Sequence, residues 1–357
     1  MGETNKEVRM ISDWQGKVMS VQGLVDPEEL GITLVHEHLV IDCTPWREEP
    51  VEASKKKIAS SPVDMAHLGE LRWDPYLSRD NCLITDVDLV IQELRQFQRL
   101  GGASVVDQTN IGLGRDPLAL FQISQEMGLH IIMGCGYYVE CSHPADMSAK
   151  SIDHIAAEIE TDIIEGVGDT GIHAGIIGEI GTSFPMARQE EKVLRASARA
   201  HRKTGVPLSI HLWEFEKGGL DILDILEEEK VNLNRVMMCH LNPGIPEDLS
   251  YHREIAKRGA YLEFEFGHGF YYKQFKRCEP SDREYALAMV RLLESGYLDQ
   301  LLMSQDVCLK INLTRYGGYG YGHILRNVKT MFKHLGMGEQ EIHTILVENP
   351  KQILAIH

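Results

Sequence analysis

ITLVHEHLVI at 32–41 is an apolar run of strand length that nonetheless carries two histidines, His36 and His38, two positions apart. Successive side chains of a strand alternate between its faces, so the two imidazoles point to one side and Glu37 to the other. Two metal-binding or hydrogen-bonding rings therefore converge. Alone, His-x-His is a weak signal, because an inward histidine can equally be a hydrogen-bonded core residue.

Seven further runs of the same kind follow: ASVVDQT at 103–109, HIIMGCGYY at 130–138, AGIIGEIG at 174–181, VPLSIHLW at 206–213, RVMMCHLN at 235–242, AYLEFEF at 260–266 and LLMSQDV at 301–307. The segments between them carry apolar residues at helical spacing, as in VDLVIQELRQFQRL and EKVLRASARAHRKTG, the second ending on Gly205 as a stop. Eight strand and helix alternations imply parallel strands joined by right-handed crossovers, and predict a (β/α)8 barrel. An open doubly wound sheet is the alternative. At 357 residues the chain exceeds the roughly 250 typical of such barrels, which predicts one domain over 1–357 with inserted loops and a short N-terminal extension over 1–30. Asn349 is expected to cap a last helix with Pro350 at its first position.

Composition narrows the function. With 43% hydrophobic and 25% charged residues the chain resembles ordinary folded proteins. A net charge of −17, with no basic run beyond KKK at 55–57, would repel a phosphate backbone and argues against nucleic acid. No run of about 18 apolar residues predicts a membrane span. MGETNKEVRMISDWQGK lacks the apolar stretch of a secretory signal, and Lys6 breaks the myristoylation pattern. Seven cysteines without a CxxC pair fit reduced thiols, so a cytoplasmic protein is expected.

Strand ends raise the weight of the opening pair. His211 lies near the end of strand 5, His240 near the end of strand 6 and Asp306 near the end of strand 8, the face on which barrels of this type build their active sites. Strand 4 adds Glu179 in GIIGEIGTS, an acid inside an apolar stretch that is costly to bury unless it is paired or bound to metal. Its two oxygens could bridge two cations. Four imidazoles and two carboxylates suit Zn, Mn, Fe or Co better than Mg or Ca. Two long connections leave the same face, Thr44 to Leu83 after strand 1 and His268 to Asp282 after strand 7, and are candidate walls of a substrate pocket. Within the second, HGFYYKQFKR mixes aromatic and cationic side chains that could meet an anionic part of a substrate.

From GLVDPEELGITLVHEHL through GRDP, GIIGEIGTS and YGGYGYGHIL to ENPKQIL, the chain resembles the phosphotriesterase-related family of the amidohydrolase superfamily. The resemblance implies a binuclear centre of two divalent ions, Zn first, with His36, His38 and Asp306 on the more buried ion, His211 and His240 on the more exposed one, and Glu179 bridging both. The best-known phosphotriesterases bridge with a carboxylated lysine, so Glu179 is a departure. Two cations would lower the pKa of a shared water and polarise the scissile oxygen. Asp306 is then the expected catalytic proton acceptor. Tyr138 in GCGYY matches a pocket tyrosine of lactone-hydrolysing relatives, and Glu265, which shares one face of strand 7 with Glu263, is a candidate substrate-binding residue or a partner behind the metal ligands. Arg115 and Asp116 in GRDP are expected to form an internal ion pair. A homodimer is the assembly the resemblance implies.

The leading expectation is hydrolysis of a lactone or other carboxylic ester, with an N-acyl amide and a phosphotriester as competing bonds at the same centre. A barrel that binds a small molecule without catalysis is the reading from another class. Such a relic need not retain all six ligand positions, and this chain does.

Overall fold

The computed structural model describes residues 13–357. Eight strands form one parallel sheet in chain order: β1 (Ile32–Glu37), β2 (Gly102–Asp107), β3 (His130–Cys135), β4 (Ile176–Gly181), β5 (Leu208–His211), β6 (Val236–Cys239), β7 (Tyr261–Glu265) and β8 (Leu301–Ser304). Each lies within the run that predicted it, except that β2 begins one residue earlier, at Gly102, and the strands alternate with helices as a (β/α)8 barrel requires.

The sheet closes on itself through side chains as well as backbone. At the seam between β1 and β8, the Asp306 amide donates to the His36 carbonyl at 3.0 Å, and the His36 amide donates to the Ser304 hydroxyl oxygen at 3.0 Å. Glu37 turns towards β8 and accepts three bonds there, from the Ser304 hydroxyl at 2.7 Å, the Gln305 amide at 2.8 Å and the Val307 amide at 2.9 Å. The ladder between β1 and β2 shifts register between Leu34 and Glu37 yet still pairs Glu37 with Asp107, so that end of β1 is held by both neighbouring strands.

Below the site, strand residues such as Val35, Val106, Ile132, Ile176, Met237 and Leu302 form a fully or almost fully buried apolar cluster with Val18, Leu30 and Ile353. A larger cluster lies between sheet and helices. Its helix α1 (Val87–Arg99) is capped by Asp86, whose carboxylate accepts the Leu89 amide at 3.1 Å, and buries Phe97 completely. Truncating such a phenylalanine costs about 3–5 kcal/mol. The helix before β5, Arg188–Thr204, ends on Gly205 in the left-handed conformation, φ 72°, as its sequence predicts. Of the N-terminal extension, residues 1–12 lie outside the described residues. The rest forms a hairpin, Val18–Ser20 paired with Gly23–Val25, and the Val21 amide just past its first strand donates to the Ile131 carbonyl of β3 at 2.8 Å.

Two local expectations are corrected. Asn349 does not cap a helix. Helical turns run without a break from Glu339 to Leu354, and the Asn349 side chain instead donates to the carbonyls of Leu298 at 2.8 Å and Leu301 at 2.7 Å. Pro350 is tolerated because the turn before it, Thr344–Glu348, is π-helical, a wider winding that relieves the demand for the proline's missing N–H. Arg115 does not pair with Asp116. It reaches Asp162 at 2.8 Å and the Gly134 carbonyl at 3.1 Å, whereas Asp116 caps the helix Pro117–Met127 through the Ala119 amide at 3.1 Å.

Candidate metal centre

Strand ends bring His36, His38, Glu179, His211, His240 and Asp306 together around one small space, none of them more than 8% exposed. Glu179 is central. Its Oε2 lies 3.5 Å from His36 Nε2, 3.1 Å from His211 Nδ1 and 3.4 Å from His240 Nε2, while its Oε1 lies 3.4 Å from His38 Nε2. Asp306 Oδ1 is 3.2 Å from His38 Nε2 and 3.7 Å from His36 Nε2. The backbone is bent to achieve this. His240 and Asp306 adopt positive φ, 58° and 49°, a conformation that costs a side-chain-bearing residue energy and is typical of functional sites. Beneath Glu179, Gly178 at φ 152° lies so close to β5 that a Cβ there would stand 2.6 Å from the Ser209 Cβ, so only glycine fits.

These groups fit a metal centre on their own chemistry. The ligand atoms of His36, His38 and Asp306 lie within 4.8 Å of one another, as do those of His36, Glu179 and His240. His36 Nε2 is buried without a hydrogen-bond partner. A buried polar atom without a partner is costly, and a cation would satisfy it. The electrostatics are strongly mutual. Burial alone would raise Asp306, yet His36 and His38 pull it down to about 2, and the imidazoles His211 and His36 likewise hold Glu179 well below the carboxylate range. Against the same desolvation, Asp306 and Glu179 hold His38 well above its ordinary value, and Glu265 leads the groups that bring His240 to about 9.

A surrounding layer fixes the rings. His38 Nδ1 lies 2.9 Å from the Thr109 hydroxyl, His36 Nδ1 3.4 Å from Glu263 Oε2, and His240 Nδ1 3.1 Å from Glu265 Oε1. Partners behind ligating imidazoles set tautomer and orientation. Carbonyls on or next to the site residues are pinned too: Tyr321 donates to His38 O at 3.0 Å, His268 to Asp306 O at 2.9 Å, His143 to Tyr138 O at 2.7 Å and His252 to Leu241 O at 2.7 Å. Three of these four donors are histidines with no pattern at strand ends, which is why sequence spacing does not find them.

Tyr138 stands against His211, its hydroxyl 3.2 Å from both ring nitrogens, and faces the cavity. Glu265 does not line that cavity but sits behind His36 and His240. The cavity above the six residues measures about 20 Å³, room for a single water, and its walls include Trp46 and Tyr76 from the loop after β1 and Tyr272 from the loop after β7. Glu214, three residues beyond His211, also faces in. Burial, then the charge of Glu279, pushes its carboxyl up to about 8. The cations of HGFYYKQFKR stay outside: Lys273 faces Asp74 at 3.8 Å and Arg277 faces Glu216 at 3.7 Å. Among the described residues no helix is long and apolar enough to cross a membrane.

A barrel with buried histidines and carboxylates gathered at its strand ends is the architecture of a hydrolase that works through metal ions. The chain belongs to the phosphotriesterase family, whose model matches residues 16–354. It is 36% identical over 350 residues to an N-acetyltaurine hydrolase from Tetraodon nigroviridis, covering 96% of this chain and 99% of that one. Among solved structures it is similar to a resiniferatoxin-binding protein from Rhodobacter sphaeroides, 40% identical with a TM-score of 0.93 over 95% of both chains. A lactonase from Listeria monocytogenes shares the fold at 24% identity and a TM-score of 0.77, over 96% of this chain and 99% of that one.

Proposed function

We propose that this enzyme hydrolyses an N-acyl amide at a two-metal centre. His36, His38 and Asp306 would hold one ion, His211 and His240 the other, with Glu179 between them. When bound, two divalent ions, Zn first and Mn, Co or Fe as alternatives, supply a water of lowered pKa and an electrophile for the acyl oxygen. The chain supplies the proton path. An amine leaves poorly unless its nitrogen is protonated, so Asp306, whose Oδ1 faces His38 at 3.2 Å, takes the water's proton and delivers it to that nitrogen. Tyr138, which lines the cavity, would donate its hydroxyl to the acyl oxygen, and Glu263, Glu265 and Thr109 would keep the imidazoles aimed.

The observation that carries the amide reading over the ester is the full-length likeness to N-acetyltaurine hydrolases. The ester reading stands second, because the lactonase neighbour shows the fold alone. The test is a panel of N-acyl amines, lactones and phosphotriesters assayed with the Zn, Mn and Co forms. Amides should lead in kcat/KM by about tenfold or more. A lactone or phosphotriester in first place overturns the amide reading.

A further inference from the structure

Over the candidate centre the cavity is walled by the rings of Trp46, Tyr76, Tyr138 and Tyr272 together with the Glu214 carboxylate. Trp46 is the hub, its ring centroid 5.9 Å from Tyr138, 6.2 Å from Tyr76, 6.1 Å from Phe275 and 6.4 Å from Trp213. Neither lysine nor arginine lines this space. Glu214 Oε2 is shut off from solvent and has no hydrogen-bond partner. Of the nearby histidines, His38 faces Glu179 at 3.4 Å and Asp306 at 3.2 Å, and His268 is taken by Glu279 at 3.4 Å. Outside, a cavity of about 250 Å³ that shares Tyr76 presents Glu48, Glu49, Glu52 and Asp74. Its lysines are engaged, Lys55 by Glu70 at 2.8 Å and Lys273 by Asp74 at 3.8 Å.

Aromatic faces attract cations, and a buried carboxylate without a partner is costly until a donor or positive charge meets it. An anion reaching the Trp46 side of this space would face π-clouds and Glu214, with neither lysine nor arginine among the lining residues to pair it. The sulfonate of N-acetyltaurine is such an anion. We infer that the substrate of this enzyme carries a protonated amine on the part beyond the scissile amide, as in a mono-acylated diamine, with Glu214 and the Trp46 cage as its receptor. This inference rests on the amide reading of the same site, and it gives the chain a charge preference opposite to the one its relatives' name implies.

Binding and turnover separate the two ideas. The metal-loaded protein is titrated, following tryptophan fluorescence, with N-acetyl-1,3-diaminopropane, neutral N-acetylpropylamine and anionic N-acetyltaurine. The cationic probe should bind about tenfold more tightly than the neutral one, and the anion more weakly than both. Glu214→Gln should reduce that cationic preference to about threefold or less, with circular dichroism confirming the fold. Anion binding equal to or tighter than cation binding, no measurable binding of the cationic probe, or equal losses for all three probes in Glu214→Gln overturns the inference. Hydrolysis of the same probes is read separately. Cation-selective binding without amide cleavage sinks the amide reading alone, whereas cleavage that favours the anion sinks the cation receptor alone.

Discussion

Glu265 Oε1 accepts the backbone N–H of His240 at 2.7 Å and faces Nδ1 of the same residue at 3.1 Å. One oxygen thus sets both the strained main chain and the ring of His240, leaving Nε2 aimed at Glu179 at 3.4 Å. In Glu265→Gln the charge behind the imidazole is lost while the volume stays. Metal affinity should fall roughly 10–100-fold, as it does when partners behind ligating histidines are removed. Equilibrium metal titration against a chelator checks this, and an unchanged affinity contradicts the positioning role.

Asp306→Asn keeps the shape but not the basicity of the proposed proton acceptor. Turnover should drop by roughly 10²–10⁴-fold while thermal melting and circular dichroism stay close to the parent. Near-parental kcat in a well-folded variant would remove Asp306 from the proton path.

Chelation should abolish activity without unfolding the barrel, because both apolar clusters are built independently of the ligand groups. Adding back Zn, Mn or Co should restore it, with about two equivalents bound by elemental analysis. Saturation at one equivalent with full activity argues against a binuclear centre.

His252 gives a pH signature. Burial lowers its pKa from 6.5 to about 4, although its bond to the Leu241 carbonyl opposes the shift. The unfolded chain therefore takes up a proton below pH 6.5 that the folded chain refuses until about 4. Its contribution is complete above 6.5, declines as pH falls through that window and levels near 4, a total of about 3 kcal/mol. Urea melts from pH 7 to 4 should show a shallower decline for His252→Gln than for the parent. Parallel curves would mean His252 does not set this slope.

Glu37→Ala removes the acceptor of three seam bonds and leaves buried donors unpaired. A loss of about 2–5 kcal/mol is expected in denaturant melts. A loss below about 1 kcal/mol, the scale of one ordinary hydrogen bond, would show that the backbone seam suffices.

The barrel and the six candidate ligands were legible because both rest on local rules. Alternation placed His36 and His38 together, and position within each apolar run put Glu179, His211, His240 and Asp306 at one end of the sheet. What stayed hidden depends on contacts between distant segments. Arg115 finds Asp162 across 47 positions, and no periodicity marks such a partner. Asn349 has the residue type of a cap, but the carbonyls of Leu298 and Leu301 claim its side chain. Glu265 was placed on the correct face of its strand, yet whether it meets substrate or a histidine depends on β6, which the strand itself does not reveal. Trp46, Tyr76 and Tyr272 lay in the two long loops already marked as walls. Glu214 stood three residues past His211 with no signal beyond its neighbour.

The bond between Ser304 and Glu37 spans 267 positions. A chain emerging from the ribosome makes β1 early and β8 among its last segments, so Glu37 waits through most of synthesis for its partners. His36 and His38 are exposed for the same interval, able to scavenge ions with no Asp306 to complete the set. The proposed ligand set is complete only when the two ends of the barrel meet, so two-metal loading as proposed would fall at the final step of folding.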